Sequence, residues 1–164
     1  MAVPRVIQVR GTGRDERFGR FEDIEPLFPM TELLAAISGS RPAEHPIARW
    51  CVELLTLHQQ DDTWAAGLAQ RRTEIMHAID VWTIGHVPQH RNGARLHTET
   101  VGSVVDRIAR AYARFQRAMA RHDAADPAVH AAWTQVAELF VGYQDLVVEV
   151  MRGQRRLPAP EVDR

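Results

Sequence analysis

Apolar residues recur every three or four positions along four long segments of the chain, which predicts four amphipathic α-helices. A proline in the first turn favours the start of two of them, at Pro46 and Pro127, and Gly153 marks the end of the last. The predicted long helices cover residues 46–59, about 62–87, about 100–121 and 126–152. A shorter helix is expected from Thr31 to Ser38, before Gly39 and Pro42.

Each apolar stripe has to be buried against another stripe, so the pattern predicts an all-α fold. We expect an antiparallel helical bundle of four main helices, preceded by the short N-terminal helix. The last helix, at ~27 residues and ~40 Å, is long for a chain of this size. Because an overhanging stripe of that length is often covered by a second subunit, we also expect a homodimer.

The two ends of the chain lack this periodicity. Residues 1–29 contain three prolines and predict a poorly ordered arm, although the short run 3–9 could pair as a strand. Residues 30–153 form the predicted bundle domain. Residues 154–164, with Pro158 and Pro160, predict a loose tail.

Composition narrows the function classes. The 164 residues carry 20 basic and 21 acidic side chains, a formal charge of -1, so neither a nucleic-acid partner nor an anionic membrane is expected. No apolar run approaches the ~20 residues of a membrane span, and the N-terminus lacks a signal-peptide core. A single cysteine, Cys51, fits a reducing compartment and a role as core filler. We therefore expect a cytoplasmic protein.

All the basic side chains are arginines, and the chain contains no lysine. Schiff-base chemistry, covalently held pyridoxal phosphate and the lysine of a nucleotide-binding P-loop all require a primary amine. These reactions are excluded, and no cofactor is expected.

Arg72 lies in the middle of an apolar stripe, four residues after Leu68 and three before Ile75. A guanidinium keeps its charge at any accessible pH, so an inward-pointing arginine needs a carboxylate, several carbonyls or a ligand anion. His86 falls on the same stripe, and His58 falls on the inward face of the preceding helix. A structural ion pair and a ligand-binding site both fit this arrangement.

A second candidate region is the start of the helix near residue 100. Thr98 or Thr100 can cap it, Glu99 favours the helix dipole, and Gly102 permits close approach of another helix. In a functional interpretation, Glu99 pairs with Arg72 across the core and His97 acts as a general acid or base.

These residues resemble a family. The run from His97 to Ile108 resembles the signature S-E-T-P-G-S-I-I-D-R-L of the bacterial family known as domain of unknown function 4254, with Val101 in place of the proline. The preceding helix also matches, with Arg72 and Asp80 at family positions, although Glu74 and His77 depart from the pattern. The resemblance implies an all-helical protein and adds three residues to the candidate site, namely Asp80, Asp106 and Arg107.

Other polar groupings have simpler interpretations. Glu74 and His77 have the Glu-x-x-His spacing of di-iron proteins, but only one such pair exists. His86, His90 and His97 could bind zinc but lack a standard spacing. Asp106 and Arg110 are expected to form an exposed pair. A basic face, interpreted as solvated, contains Arg107, Arg110, Arg114, Arg117 and Arg121.

The preferred hypothesis is a protein that binds a small anionic or carbonyl-bearing metabolite between its helices. If it is an enzyme, cofactor-independent lyase, isomerase or cyclase chemistry suits the residues best. Arg72, His86, Asp80, Asp106 and Arg107 would bind the substrate. The candidate proton-transfer groups are His58, His97 and Glu99. The alternatives are a non-catalytic assembly or partner-binding protein, and a metal-dependent oxidoreductase that uses carboxylates and histidines.

Overall fold

The computed structural model describes residues 27–60, 65–88 and 93–159, and this part of the chain is mainly helical, which confirms the all-α prediction. None of the helices in these ranges combines the length and the apolar character needed to cross a bilayer. The helices are α1 (Met30–Ile37), α2 (Pro46–Gln59), α3 (Ala65–His86), α4 (Val101–Arg121) and α5 (Pro127–Met151).

Local sequence accounts for where the helices begin. The Asp126 side chain accepts a hydrogen bond from the Ala128 amide at 2.7 Å, directly before Pro127. Thr100 caps α4 in the same way, by accepting from the Ser103 amide at 3.2 Å. These contacts satisfy amide groups that have no partner within their own helix, so each cap fixes the start of its helix.

α4 packs against α2, α3 and α5, and its buried side provides much of the core. Val105 and Ile108 on α4 are buried among residues of the neighbouring helices, as is Phe140 on α5. Tyr143 on α5 donates a hydrogen bond to the carbonyl oxygen of Phe28 at 2.9 Å. The segment before α1 is therefore attached to α5, and burial of Leu27 and Phe28 adds to that attachment.

Gly102 lets α3 and α4 touch backbone to backbone. A Cβ at this position would overlap the Met76 carbonyl oxygen and come within 2.8 Å of its carbonyl carbon. Only a residue without a side chain fits such a contact. The expected close helix approach at Gly102 is confirmed.

The structure contains two short strands that the sequence pattern does not predict. β1 (Arg95–Leu96) pairs in parallel with β2 (Arg155–Arg156), so the segments on either side of the α4–α5 hairpin meet. Leu157, directly after β2, is buried. The prediction of a loose tail from residue 154 therefore misses a pairing that joins segments about 60 residues apart, which no local pattern reports.

Most of the predicted N-terminal arm lies outside the described residues, as do the run 3–9 and residues 160–164. The last three residues of the arm are described, and Leu27 and Phe28 belong to the core. The boundary of the folded part therefore begins at least three residues before the predicted position 30.

Gly102→Ala is expected to lower the free energy of unfolding by about 1–3 kcal/mol, because the new methyl group forces α3 and α4 apart. Gly142→Ala is the matched control. Gly142 lies within α5 with nothing within 4 Å of an added Cβ, so alanine there should stabilise by about 0.5–1 kcal/mol. Urea unfolding followed by circular dichroism measures both changes, and equal effects of the two substitutions would contradict the close contact.

Candidate functional site

A buried carboxylate joins three helices. Asp106 on α4 accepts hydrogen bonds from His58 on α2 and from Arg72 on α3. The distance from His58 Nε2 to Asp106 Oδ1 is 2.8 Å, and Arg72 reaches the two carboxylate oxygens through Nε at 3.1 Å and Nη2 at 2.7 Å. We call His58, Arg72 and Asp106 the Asp106 cluster.

The members of the Asp106 cluster differ in burial. The side chains of Asp106 and His58 are 8% and 9% exposed, whereas that of Arg72 is 26% exposed. Arg72 thus reaches the buried carboxylate with Nε and Nη2, while about a quarter of its side chain stays exposed. The expectation that Asp106 forms an exposed pair with Arg110 is wrong, because Asp106 faces inward one helical turn after Gly102.

The two donors decide the charge of Asp106. Burial raises the pKa of this carboxyl group, but the hydrogen bonds from His58 and Arg72 outweigh burial and bring the pKa down to about 2. The hydrogen bonds between Arg72 and Asp106 also raise the pKa of Arg72. Asp106 is therefore a carboxylate, and Arg72 a cation, at every pH near neutrality.

Cys51 lies near this cluster but is not a reactive thiol. Its side chain is buried, and burial, with a smaller contribution from the charge on Asp106, raises its pKa to about 12. A thiol in this state is a poor nucleophile. The assignment of Cys51 as a core residue is confirmed.

Asp80 forms a second link between α3 and α4. Its Oδ1 accepts a hydrogen bond from the Gly102 amide at 2.7 Å, at the start of α4. Burial raises the pKa of Asp80, and hydrogen bonds from Gly102 and Thr100 oppose that shift in part. Asp80 therefore caps α4 from outside the helix.

Glu99 does not pair with Arg72, so that prediction is wrong. Glu99 Oε1 accepts from Arg107 Nη1 at 2.6 Å, in an ion pair at the surface. Asp106 faces Arg72 because it lies on the same side of α4 as Gly102, where the α3 backbone lies close to α4.

His97 belongs with Glu99 rather than with the Asp106 cluster. Its Nδ1 lies 2.7 Å from the Glu99 carbonyl oxygen, and its backbone amide donates to the carbonyl oxygen of Arg156 in β2. Within the described ranges, no hydrogen bond or ion pair connects His97, Glu99 or Arg107 to the Asp106 cluster. The predicted proton-transfer residues are thus divided between two places, and only His58 lies at Asp106.

The inward position predicted for His86 is wrong. The His86 ring is exposed and stacks on Trp82, with ring centroids 4.3 Å apart. Thr83 and Val87 take the buried positions in this part of the chain. His86 lies fourteen residues after Arg72, at the end of α3, where the core no longer covers the side of the helix that carries Arg72.

The proposed metal-ligand pair lies on the surface. Glu74 and His77 are both exposed, and Glu74 accepts a hydrogen bond from Arg71 at 3.2 Å. His90 lies outside the described residues. Among the residues that the structure describes, no three histidine, cysteine, aspartate or glutamate side chains converge in a way that could hold a metal ion.

Two open depressions lie away from the Asp106 cluster. One, of about 650 Å³, is bordered by Phe28 and His45 before α1 and α2, and the other, of about 430 Å³, lies at the turn between α4 and α5. Neither is lined by a member of the cluster.

Asp106 was singled out by family resemblance alone, although the sequence holds a local signal for it. A glycine that marks a helix contact, followed four residues later by a carboxylate, places that carboxylate at the same contact. An arginine on the facing helix then has a partner within reach. Gly102, Asp106 and Arg72 meet these conditions.

A family model described as "Protein of unknown function (DUF4254)" matches residues 63–159. The match includes both motifs that suggested this family and confirms the resemblance. No curated protein and no solved structure matches the chain.

Lowering the pH should remove the stability that Asp106 provides. Its pKa is about 2 in the folded chain against an ordinary 3.8, so its contribution of about 2 kcal/mol is complete above pH 4 and is lost as the pH falls toward 2. Asp106→Asn should destabilise the protein at pH 5, and the difference from wild type should shrink by about that amount at pH 2. Urea titrations at the two pH values measure this, and a difference that stays constant would contradict the pairing.

Proposed function

Since the chain belongs to the DUF4254 family of proteins of unknown function, its role has to follow from its own geometry, and we propose that it is a non-catalytic helical protein that binds other protein chains. The binding surfaces would be the outer faces of α4 and α5. One observation carries this proposal: Arg72 is satisfied by the protein's own Asp106.

The interior polar residues support a structural role. A guanidinium that makes two hydrogen bonds to one carboxylate has a strong, oriented partner and does not require a ligand anion. Asp80 and Gly102 complete the contact between α3 and α4. The family positions Arg72, Asp80, Gly102 and Asp106 can therefore be explained as contacts that hold helices together.

The outer faces supply the binding surface in this proposal. On α5, Trp133 is 40% exposed and Val141 is 57% exposed. Trp133 also packs against Phe115 of α4, with ring centroids 5.1 Å apart, so it is held in place before any partner binds. On α4, arginines cover the exposed side. Arginine and tryptophan are enriched among residues that dominate protein interfaces.

We extend this proposal to architecture, assembly and location. Contacts of Arg72 with Asp106 and of Asp80 with Gly102 run in opposite sequence order, which supports an antiparallel arrangement of α3 and α4 within a four-helix bundle. The length of α5 and its exposed Val141 support a homodimer. A single buried cysteine supports the cytoplasm as the location.

A second candidate function is the binding and conversion of a small anionic or carbonyl-bearing metabolite. The contact between His58 and Asp106 favours it, because a buried carboxylate that orients an imidazole is a common arrangement in acid–base catalysis. Arg72, which is partly exposed, would bind the anion beside His58. Lyase, isomerase or cyclase chemistry would need only these protein groups.

Arg72→Met separates the two functions. In the structural role it should lower the free energy of unfolding by about 2–4 kcal/mol, because it leaves the buried Asp106 without its cation. Arg71→Met is the matched control: Arg71 is the exposed neighbour and pairs with Glu53 and Glu74 at the surface, so its loss should cost at most about 1 kcal/mol. Chemical unfolding of the three proteins measures both.

The same proteins test for a ligand at Arg72. Thermal-shift assays with inorganic phosphate, malonate and pyruvate should show no stabilisation that depends on Arg72. A compound that raises the melting temperature of wild type and of Arg71→Met, but not of Arg72→Met, would favour the metabolite-binding function instead.

Self-association gives a test that does not involve the interior. Val141→Asp should weaken a homodimer at least about tenfold, because it places a charge in the covered face of α5. Val81→Asp is the control on α3, since Val81 is similarly exposed at 51%. Sedimentation velocity over a range of concentrations measures the dimer dissociation constant. A wild-type chain that stays monomeric at every concentration would contradict the homodimer.

A further inference from the structure

The exposed side of α4 carries a regular row of arginines. Arg110, Arg114, Arg117 and Arg121 are separated by four, three and four residues, so they follow one face of the helix over about 16 Å. All four are exposed. We call these four residues the arginine stripe. Arg107 continues the same row toward the start of α4.

Within the part of the chain that the structure describes, the arginine stripe lacks carboxylate partners. Arg107 pairs with Glu99, and Arg71, Arg72 and Arg155 elsewhere each pair with a carboxylate. Among the described residues, none of the four stripe arginines forms an ion pair, and Arg117 donates only to the Ala113 carbonyl of its own helix. Four arginines without an ion pair among the described residues thus lie in a row along one face of one helix.

The stability of the folded chain does not explain why four arginines lie in one row. Like charges three or four residues apart on a helix repel one another and destabilise it. The opposite side of α4 already provides the apolar contacts that place the helix in the core. The stripe therefore has a cost in the isolated chain, which a partner of opposite charge would remove.

We propose that the arginine stripe binds an acidic amphipathic helix of another protein, an inference that rests on the proposed function and specifies the partner. A helix with Asp or Glu at alternating intervals of three and four residues has the same repeat as the stripe, so each guanidinium can meet a carboxylate. Guanidinium groups bind carboxylates through two parallel hydrogen bonds, which gives such a pairing both strength and register.

Two other occupants fit less well. A second copy of the chain would place arginine against arginine if α4 packed on α4, and the exposed carboxylates of its α5 helix in the described part are only Glu138 and Asp145. A surface that binds single-stranded nucleic acid needs exposed aromatic side chains for base stacking. The aromatic residues within this stretch of α4 do not meet that need, because Tyr112 is buried and Phe115 is partly buried and packs against Trp133.

Binding of synthetic peptides to the full chain tests the proposal. One helical peptide of about 18 residues has glutamates on a single face at the intervals of the stripe, and the other has the same composition with glutamates spread around the helix. The first should bind at least about tenfold more tightly by calorimetry. Raising the salt concentration should weaken this binding, because exposed ion pairs are screened.

Variants of equal charge locate the binding surface. The triple variant R110E/R114E/R117E should bind the one-faced peptide at least about tenfold more weakly than wild type. The control R41E/R49E/R152E changes three exposed arginines outside the stripe and should bind within about twofold of wild type. R110Q/R114Q/R117Q, which removes charge without reversing it, should also weaken binding while its circular dichroism and melting temperature match or exceed those of wild type.

Four results would overturn the inference. Equal binding of the two peptides, or an equal loss in the control variant, would show a response to net charge alone. Tighter binding of a DNA duplex of about 20 base pairs, lost in the stripe variant, would identify a nucleic-acid surface instead. If Val141→Asp weakens the dimer but the wild-type chain does not bind the one-faced peptide, this partner is wrong and the proposed function still stands.

Discussion

The arrangement of α2, α3 and α4 depends on the hydrogen bonds that the Asp106 carboxylate accepts. Transfer of a negative charge from water into the core is costly, and only the hydrogen bonds from His58 and Arg72 make the burial of Asp106 favourable. Because those donors come from different helices, the compensation exists only when all three helices are in place. The cluster therefore stabilises one arrangement and disfavours others that would leave the carboxylate unpaired.

The contact between α3 and α4 extends this constraint along the helices. Three positions of α3 one turn apart take part: Arg72 bonds to Asp106, the backbone of Met76 touches Gly102, and Asp80 accepts from the Gly102 amide. The glycine sets the distance, and the two polar side chains set the register on either side of it. Apolar packing alone would allow the helices to slide, since it is not directional.

The charged residues of the interior and those of the α4 surface differ in whether they have partners within the chain. Inside, the ionic groups on α3 and α4 have partners within the chain, and this is the reason for assigning them to the scaffold. Outside, the arginine stripe of α4 and the exposed Trp133 and Val141 of α5 are the surfaces to which we assign the proposed protein partners. The helix α4 thus serves both sides, with its apolar face in the core and its cationic face toward solvent.

The sequence by itself determined the all-helical class, the positions of the long helices, the burial of Cys51 and the closeness of a helix at Gly102, because periodicity, caps and glycine are local signals. Only the tertiary structure decided that Arg72 meets Asp106 instead of Glu99, that His86 faces outward, and that β1 pairs with β2. A helical wheel shows in which direction a side chain points, but not where along their axes two helices make contact. The position of that contact decides which of several carboxylates, only a few residues apart, meets a given arginine.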